Sequence, residues 1–169
     1  DYLKTKEKDG YLPFGLGDWV YWKATTNNEY TSTAYYYLDY KLMARFASLL
    51  GKDAAPYQEK ANTLKSLINQ KFFNLETGVY AEGTQTAQAL ALYLGLVPEG
   101  KEQLVADKLR EVVAGNNYFL DFGLLGSKTV PAMLTKYGYI EDAMKMITKT
   151  EAPSWGYWVE TMGYSTLPE

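Results

Sequence analysis

A chain of 169 residues with 47% hydrophobic and 22% charged side chains has room for one domain with a real core and not for two comfortable ones. Its net charge of −3, without a local Lys/Arg cluster, leaves no electrostatic footprint for nucleic acid. Cysteine and histidine are both absent, which excludes disulfides, thiolate nucleophiles, Ser-His-Asp triads and the usual zinc centres, so any catalysis rests on Asp, Glu, Lys, Tyr or an imported cofactor.

Helical periodicity marks six segments in chain order. The first, about residues 30–50, is apolar nearly all round and stops at Gly51, a C-terminal signal. The second, about 56–73, places Tyr57, Ala61, Leu64, Ile68 and Phe72 on one face and polar residues on the other. The third, about 84–95, has little polar face, and Thr84 is placed to cap it. The fourth, about 99–114, sets Leu104, Val105, Leu109, Val112 and Val113 against charged residues. The fifth, about 124–137, is mostly apolar, with Pro131 expected to bend or delay it. The sixth, about 139–149, carries Ile140, Ala143, Met144 and Ile147 at i, i+3, i+4 and i+7.

A helix apolar all round is buried on every side, whereas an amphipathic one keeps a face in water. The alternation therefore predicts an all-α fold of three inner–outer helix pairs, part of an α/α toroid. A solenoid of similar period is the other reading, but the three units share no repeated consensus. Short connections lead from inner to outer helices. The returns are longer: 74–83, which also reads as a hairpin-like connection, 115–123 and 150–169, with the opening segment through Asn28 in the equivalent place. All four tryptophans, 19, 22, 155 and 158, lie on these long segments, which the layout gathers at one end of the ring. No apolar run approaches the roughly 18 residues that span a bilayer, so membrane insertion is not expected. The start at Asp-Tyr-Leu reads as an excised piece, and three pairs where a closed ring commonly has six predict that residues 1–169 form a single domain, about half of a barrel. Inner faces left uncovered predict marginal stability, aggregation or self-association of the isolated chain.

The ordered set GDW (17–19), YTSTAYYYLDYKLMA (30–44), QTAQALALYLGLVPEG (85–100), FGLLGSKTVPAMLTKYGYIEDAMKMI (122–147) and PSWGYW (153–158) resembles the catalytic domain of bacterial α-L-rhamnosidases. The resemblance runs from about Gly15 to Glu169 and implies an inverting glycoside hydrolase on an (α/α)6 barrel. It also implies a rhamnose-containing glycan or glycoside as partner, no cofactor and, by analogy, a periplasmic or secreted address. In that family PSWGY leads to a segment resembling GATTxWE, whose Glu activates the attacking water. Here the matching stretch is GYSTLPE, 163–169, which implies Glu169 as general base. Tyr164, Ser165 and Pro168 depart from the family pattern, and the run from Trp155 to Gly163 is one residue longer. The family's general acid would fall before Asp1.

Inversion needs two carboxyl groups on opposite faces of the sugar, roughly 6.5–9.5 Å apart. Glu160, in YWVE, is the rival to Glu169. Asp18, between Gly17 and Trp19, either accepts hydrogen bonds from two sugar hydroxyls or caps a local turn. Odd spacing in an extended loop puts Trp19 and Trp22 on opposite sides; by resemblance Trp19 is the stacking platform and Trp22 packs against the shell. Of Trp155 and Trp158, Trp155 is the expected cleft residue. Tyr80, beside Glu82 on another loop at that end, is a further candidate for the sugar. At the start of the fifth helix, by Phe122 and Gly123, either free backbone N–H groups are offered to a hydroxyl or, as the favoured reading, the glycines simply let the loop pass close to the ring. No carboxylate set has metal-loop spacing. Other readings are another α/α-toroid carbohydrate enzyme, such as a lyase, or a non-catalytic helical module that binds glycan or protein through its aromatic loops.

Overall fold

The computed structural model describes residues 2–167. Six helices keep the predicted order, and identifiable caps mark several of their ends. Helix α1 is a single short turn, Tyr2–Lys6, and α2 spans Asn28–Leu49. Asn27 caps α2 by accepting a hydrogen bond from the N–H of Tyr30 at 3.0 Å. Helix α3 covers Ala55–Phe72, and Pro56 in its first turn costs no hydrogen bond there. Two-residue strands β1 (Phe73–Asn74) and β2 (Val79–Tyr80) then pair antiparallel, Phe73 opposite Tyr80, which bears out the hairpin-like connection. Helix α4, Gln85–Leu94, is capped by Thr84 accepting from Ala87 N–H at 3.0 Å. It ends at Gly95, whose φ of 76° is the left-handed cap that glycine adopts freely. Helices α5 (Glu102–Gly115), α6 (Leu124–Lys136) and α7 (Ile140–Thr148) complete the pairs, and residues Tyr157–Thr161 form a π-helical turn. Pro131 lies inside α6 and neither delays nor ends it.

Helix α4 is the clearest inner element. Every residue along it is buried except Tyr93, and it packs against α2, α5 and α6. The outer helices bury one stripe each: Ala61, Leu64 and Ile68 of α3; Val105, Ala106, Leu109 and Val113 of α5; Ala143 and Met146 of α7. This is the 3.6-residue period that the sequence carries. Helix α2 departs from the expectation of burial all round. Its first half is buried through Tyr30, Ala34, Tyr36 and Tyr37, but Met43, Phe46, Leu49 and Leu50 are exposed.

The core joins the inner helices to the hairpin through aromatic rings. Tyr30 meets Phe72 edge-on at 5.4 Å, and Phe73 stacks on Tyr80 at 4.5 Å. The buried Tyr30 hydroxyl donates to Ala87 O at 2.8 Å, and burial raises its pKa well above the usual value. Gln88, also fully buried, accepts from Tyr80 N–H at 2.6 Å and donates to Gly78 O at 2.9 Å. A side chain of α4 thus closes the backbone bonding of the hairpin that precedes it.

Candidate active site

Three of the long connections, the opening segment, 115–123 and the described part of 150–169, bound a cleft of about 440 Å3 beside the start of α6. It is lined by Val20, Tyr21 and Trp22 of the opening segment, by Phe122, Leu124 and Lys128 around the start of α6, and by Trp155, Trp158 and Leu167. Phe122 meets Trp155 edge-on at 6.4 Å, and Trp22 meets Phe119 at 5.4 Å. Lys128 is the one charged side chain among the described lining residues. Its Nζ lies 5.4 Å from the centre of the Tyr93 ring on α4, within reach of a cation–π contact. Flat rings with wet edges around a single cation suit a polyhydroxylated ligand with apolar faces.

Helix starts leave backbone N–H groups without partners, and at α6 one loop supplies every acceptor. Asp18, 4% exposed, accepts from Gly123 N–H at 2.8 Å through Oδ2. Its Oδ1 accepts from Leu125 at 2.7 Å and Gly126 at 3.2 Å. The Thr86 hydroxyl donates to the same carboxylate, and Leu124 N–H donates to Trp19 O at 2.9 Å. Of the two roles open to Asp18, these are the bonds of a cap, made on a helix more than a hundred residues away. The carboxylate is engaged within the protein, and so are the N–H groups that the start of α6 would have brought to a ligand. Gly123 permits this approach, because a Cβ there would collide with the Trp19 carbonyl.

Residues 18–24 cross the start of α6 as a strap, and its far end is held by an acid that no sequence motif singles out. Asp121, 8% exposed, accepts from the N–H groups of Lys23 at 2.7 Å and Ala24 at 2.9 Å. The one sign of it in the sequence is a lone acid inside the apolar run FLDFG.

The tryptophans are arranged differently from the extended-loop expectation. Trp22, 40% exposed, lines the cleft, whereas Trp19, 58% exposed, is not among its lining residues. The chain is not extended between them, since Val20 has a φ of 64°. Trp155 lines the cleft, and so does Trp158. Residues 155–161 are helical, and positions i and i+3 of a helix share a face. Tyr80 is corrected to the core: it is 0% exposed, stacked on Phe73, with its hydroxyl donating to Asn69. Glu160 is exposed on the π-helical turn and borders a neighbouring hollow with Trp155 and Leu167. Glu169 lies outside the described residues. None of the described residues that line the cleft is a carboxylate. Among the described residues no group of acidic side chains is arranged to hold a metal ion, and no helix is long and apolar enough to cross a membrane.

Helical hairpins that carry an aromatic cleft on their long connections define an α/α-toroid type of glycosidase domain. The family described as the bacterial alpha-L-rhamnosidase 6 hairpin glycosidase domain matches residues 1–169, and the chain belongs to that family. An alpha-L-rhamnosidase of Streptomyces avermitilis is 32% identical over 166 residues, covering 97% of this chain and 16% of that protein. One from Formosa agariphila is 30% identical over 187 residues, covering 99% and 19%. The crystal structure of the S. avermitilis alpha-L-rhamnosidase complexed with L-rhamnose superposes with a TM-score of 0.89 at 29% identity, over 95% of this chain and 16% of that one. The chain thus spans less than a fifth of the length of these relatives.

Proposed function

We propose that this chain is part of an inverting α-L-rhamnosidase, contributing three of the six hairpins of its catalytic barrel. In this reading it supplies the base side of the site and the aromatic wall that receives a terminal α-L-rhamnose, and the chain alone does not turn over substrate. The observation that carries the proposal is the aromatic cleft at the loop end of the hairpins, in a chain whose fold matches that of a rhamnosidase solved with L-rhamnose. Trp22, Trp155 and Trp158 offer faces for the apolar side of the sugar, and Lys128 offers donors to its hydroxyls.

Glu169 is the general base in this scheme. It withdraws a proton from a water on the sugar face opposite the leaving group, while an acid from another segment of the barrel protonates the leaving oxygen. Support comes from its motif position and from Leu167, two residues earlier, which lines the cleft.

The test is turnover of a chromogenic aryl α-L-rhamnoside by the full-length protein that contains this chain, wild type beside Glu169→Gln. The expected result is turnover that falls at least ~100-fold in the variant, the scale of a lost general base. Turnover unaffected by the change would move the base to Glu160. No turnover by the wild type would overturn the rhamnosidase reading.

A further inference from the structure

The strap of residues 18–24 is held at both ends by buried carboxylates and is strained between them. Asp18 fixes its start on α6, and Asp121 fixes its end through Lys23 and Ala24. Val20 adopts a left-handed φ of 64°, which a β-branched residue holds only where its surroundings over-determine it. The segment between the two pins, Val20 to Trp22, is what faces the cleft.

Asp121 controls the exit from that segment. The two N–H groups it binds come directly after Trp22, so they set the direction in which the chain leaves the indole. Asp121 is itself braced: its N–H donates to Gln85 Oε1 at 3.3 Å, and Gln85 Nε2 donates to Phe119 O at 3.1 Å. Phe119 returns to the strap, with its ring edge-on to Trp22. A closed circuit therefore runs from α4 through Gln85 and Asp121 to the strap and back through Phe119. Asp121 does not line the cleft.

We propose that Asp121 is a positioning residue for the substrate: its carboxylate holds Trp22 at the cleft wall, and its effect is on substrate affinity rather than on the chemical step. The inference rests on the cleft being the rhamnoside site. Without the acceptor, two strap N–H groups lose their partner and Val20 is free to leave the left-handed region. Substrate then meets a mobile wall that binding must order, which raises KM and leaves the bound complex competent.

The experiment uses the full-length protein, with steady-state kinetics on an aryl α-L-rhamnoside for wild type, Asp121→Ala and Asp121→Asn. The asparagine keeps an Oδ1 acceptor for the strap, and the alanine does not. Asp121→Ala is expected to raise KM about 10-fold with kcat within about threefold, and Asp121→Asn to restore KM to within about twofold. Equal effects of the two changes, or a fall in kcat at constant KM, would overturn the proposal. Should the alanine variant not fold, Asp121→Ser takes its place, since it keeps a polar group in the site but falls short of the strap.

A second readout needs no substrate. With 5-fluorotryptophan incorporated, the Trp22 fluorine resonance, assigned by Trp22→Phe, is expected to shift or broaden in Asp121→Ala and not in Asp121→Asn. An unchanged resonance in Asp121→Ala overturns the positioning role. A changed resonance in a protein that turns over no rhamnoside supports that role and sinks the substrate reading alone.

Discussion

Replacing Asp18 by alanine removes one carboxylate and strands four donors at once: the backbone N–H groups of Gly123, Leu125 and Gly126, and the hydroxyl of Thr86. Loss of a helix cap costs about 0.5–2 kcal/mol. Each buried donor left without a partner adds about 1–3 kcal/mol where water cannot reach it. Gly123 and Gly126 are buried, whereas Leu125 is half-buried and the Leu124 N–H keeps its bond to Trp19. Counting the cap once and two of the remaining donors as stranded gives about 2.5–8 kcal/mol for Asp18→Ala. That approaches the entire stability of a marginal domain, on the order of 5–15 kcal/mol. Asp18→Asn should fall between, near about 2 kcal/mol, because its one carbonyl still serves Leu125 and Gly126 while its amide meets other donors. Urea unfolding monitored by circular dichroism reads both values. A stability loss under about 1 kcal/mol in Asp18→Ala would refute the reasoning, since a carboxylate reserved for a ligand is removed at little cost to the fold.

Other buried groups give two more expected outcomes. Tyr80→Phe should cost about 1 kcal/mol, the net worth of the hydroxyl's bond to Asn69, and leave KM for rhamnoside unchanged; a KM rise without a stability loss would return Tyr80 to the site. Asp142 on α7 is buried and accepts from Arg110 Nε at 2.7 Å, with Lys145 at 3.7 Å. Burial alone would raise its pKa, but the hydrogen bonds of Arg110 and Tyr118 and the nearby positive charges outweigh it and hold the carboxyl below its ordinary 3.8. A depressed folded-state pKa contributes stability that is present above 3.8 and lost as pH falls through the lower folded value. Asp142→Asn should therefore be less stable than wild type at pH 6, with the gap narrowing below pH 4; a gap independent of pH in thermal unfolding would count against it.

The order of the six main helices, and the kind of α3, α4, α5 and α7, were legible because each signal was local. Thr84 and Gly95 bracket α4 within its own sequence, and the stripes of α3, α5 and α7 repeat at the period of the helix that bears them. What failed was non-local. Nothing in Met43, Phe46 and Leu49 tells a reader that their face of α2 stays uncovered among residues 2–167 while Ala44 and Ala47 beside them are buried, since an apolar stripe states only what a face requires. The turn α1 buries no side chain and is too short to display a period, so it left no signal. It is attached to the rest of the fold by Leu3, partly buried against the core, and one residue past its end by Glu7, which accepts from Lys60 at 2.7 Å and from the Tyr36 hydroxyl at 3.0 Å.

The candidate site shows the same division more sharply. That the long connections carry the aromatic residues could be read from their positions, but not which ring faces the cleft, because that depends on backbone dihedrals inside the loops. Left-handed Val20 replaces the extended geometry that would set Trp19 and Trp22 on opposite sides, and the helical turn after Ser154 brings Trp158 to the cleft beside Trp155. The carboxylates were harder still, because Asp18 and Asp121 find their partners 105 and 98 positions away in the chain. An acid beside tryptophans on a glycine-rich loop invites a role toward the ligand. Yet a loop that lines a cleft must also be held from behind, and the start of a helix offers up to four backbone donors with no acceptor of their own. A short carboxylate answers that demand with two acceptor oxygens, each of which serves two donors here, which is why the acid of GDW sits under the wall of the cleft and not inside it.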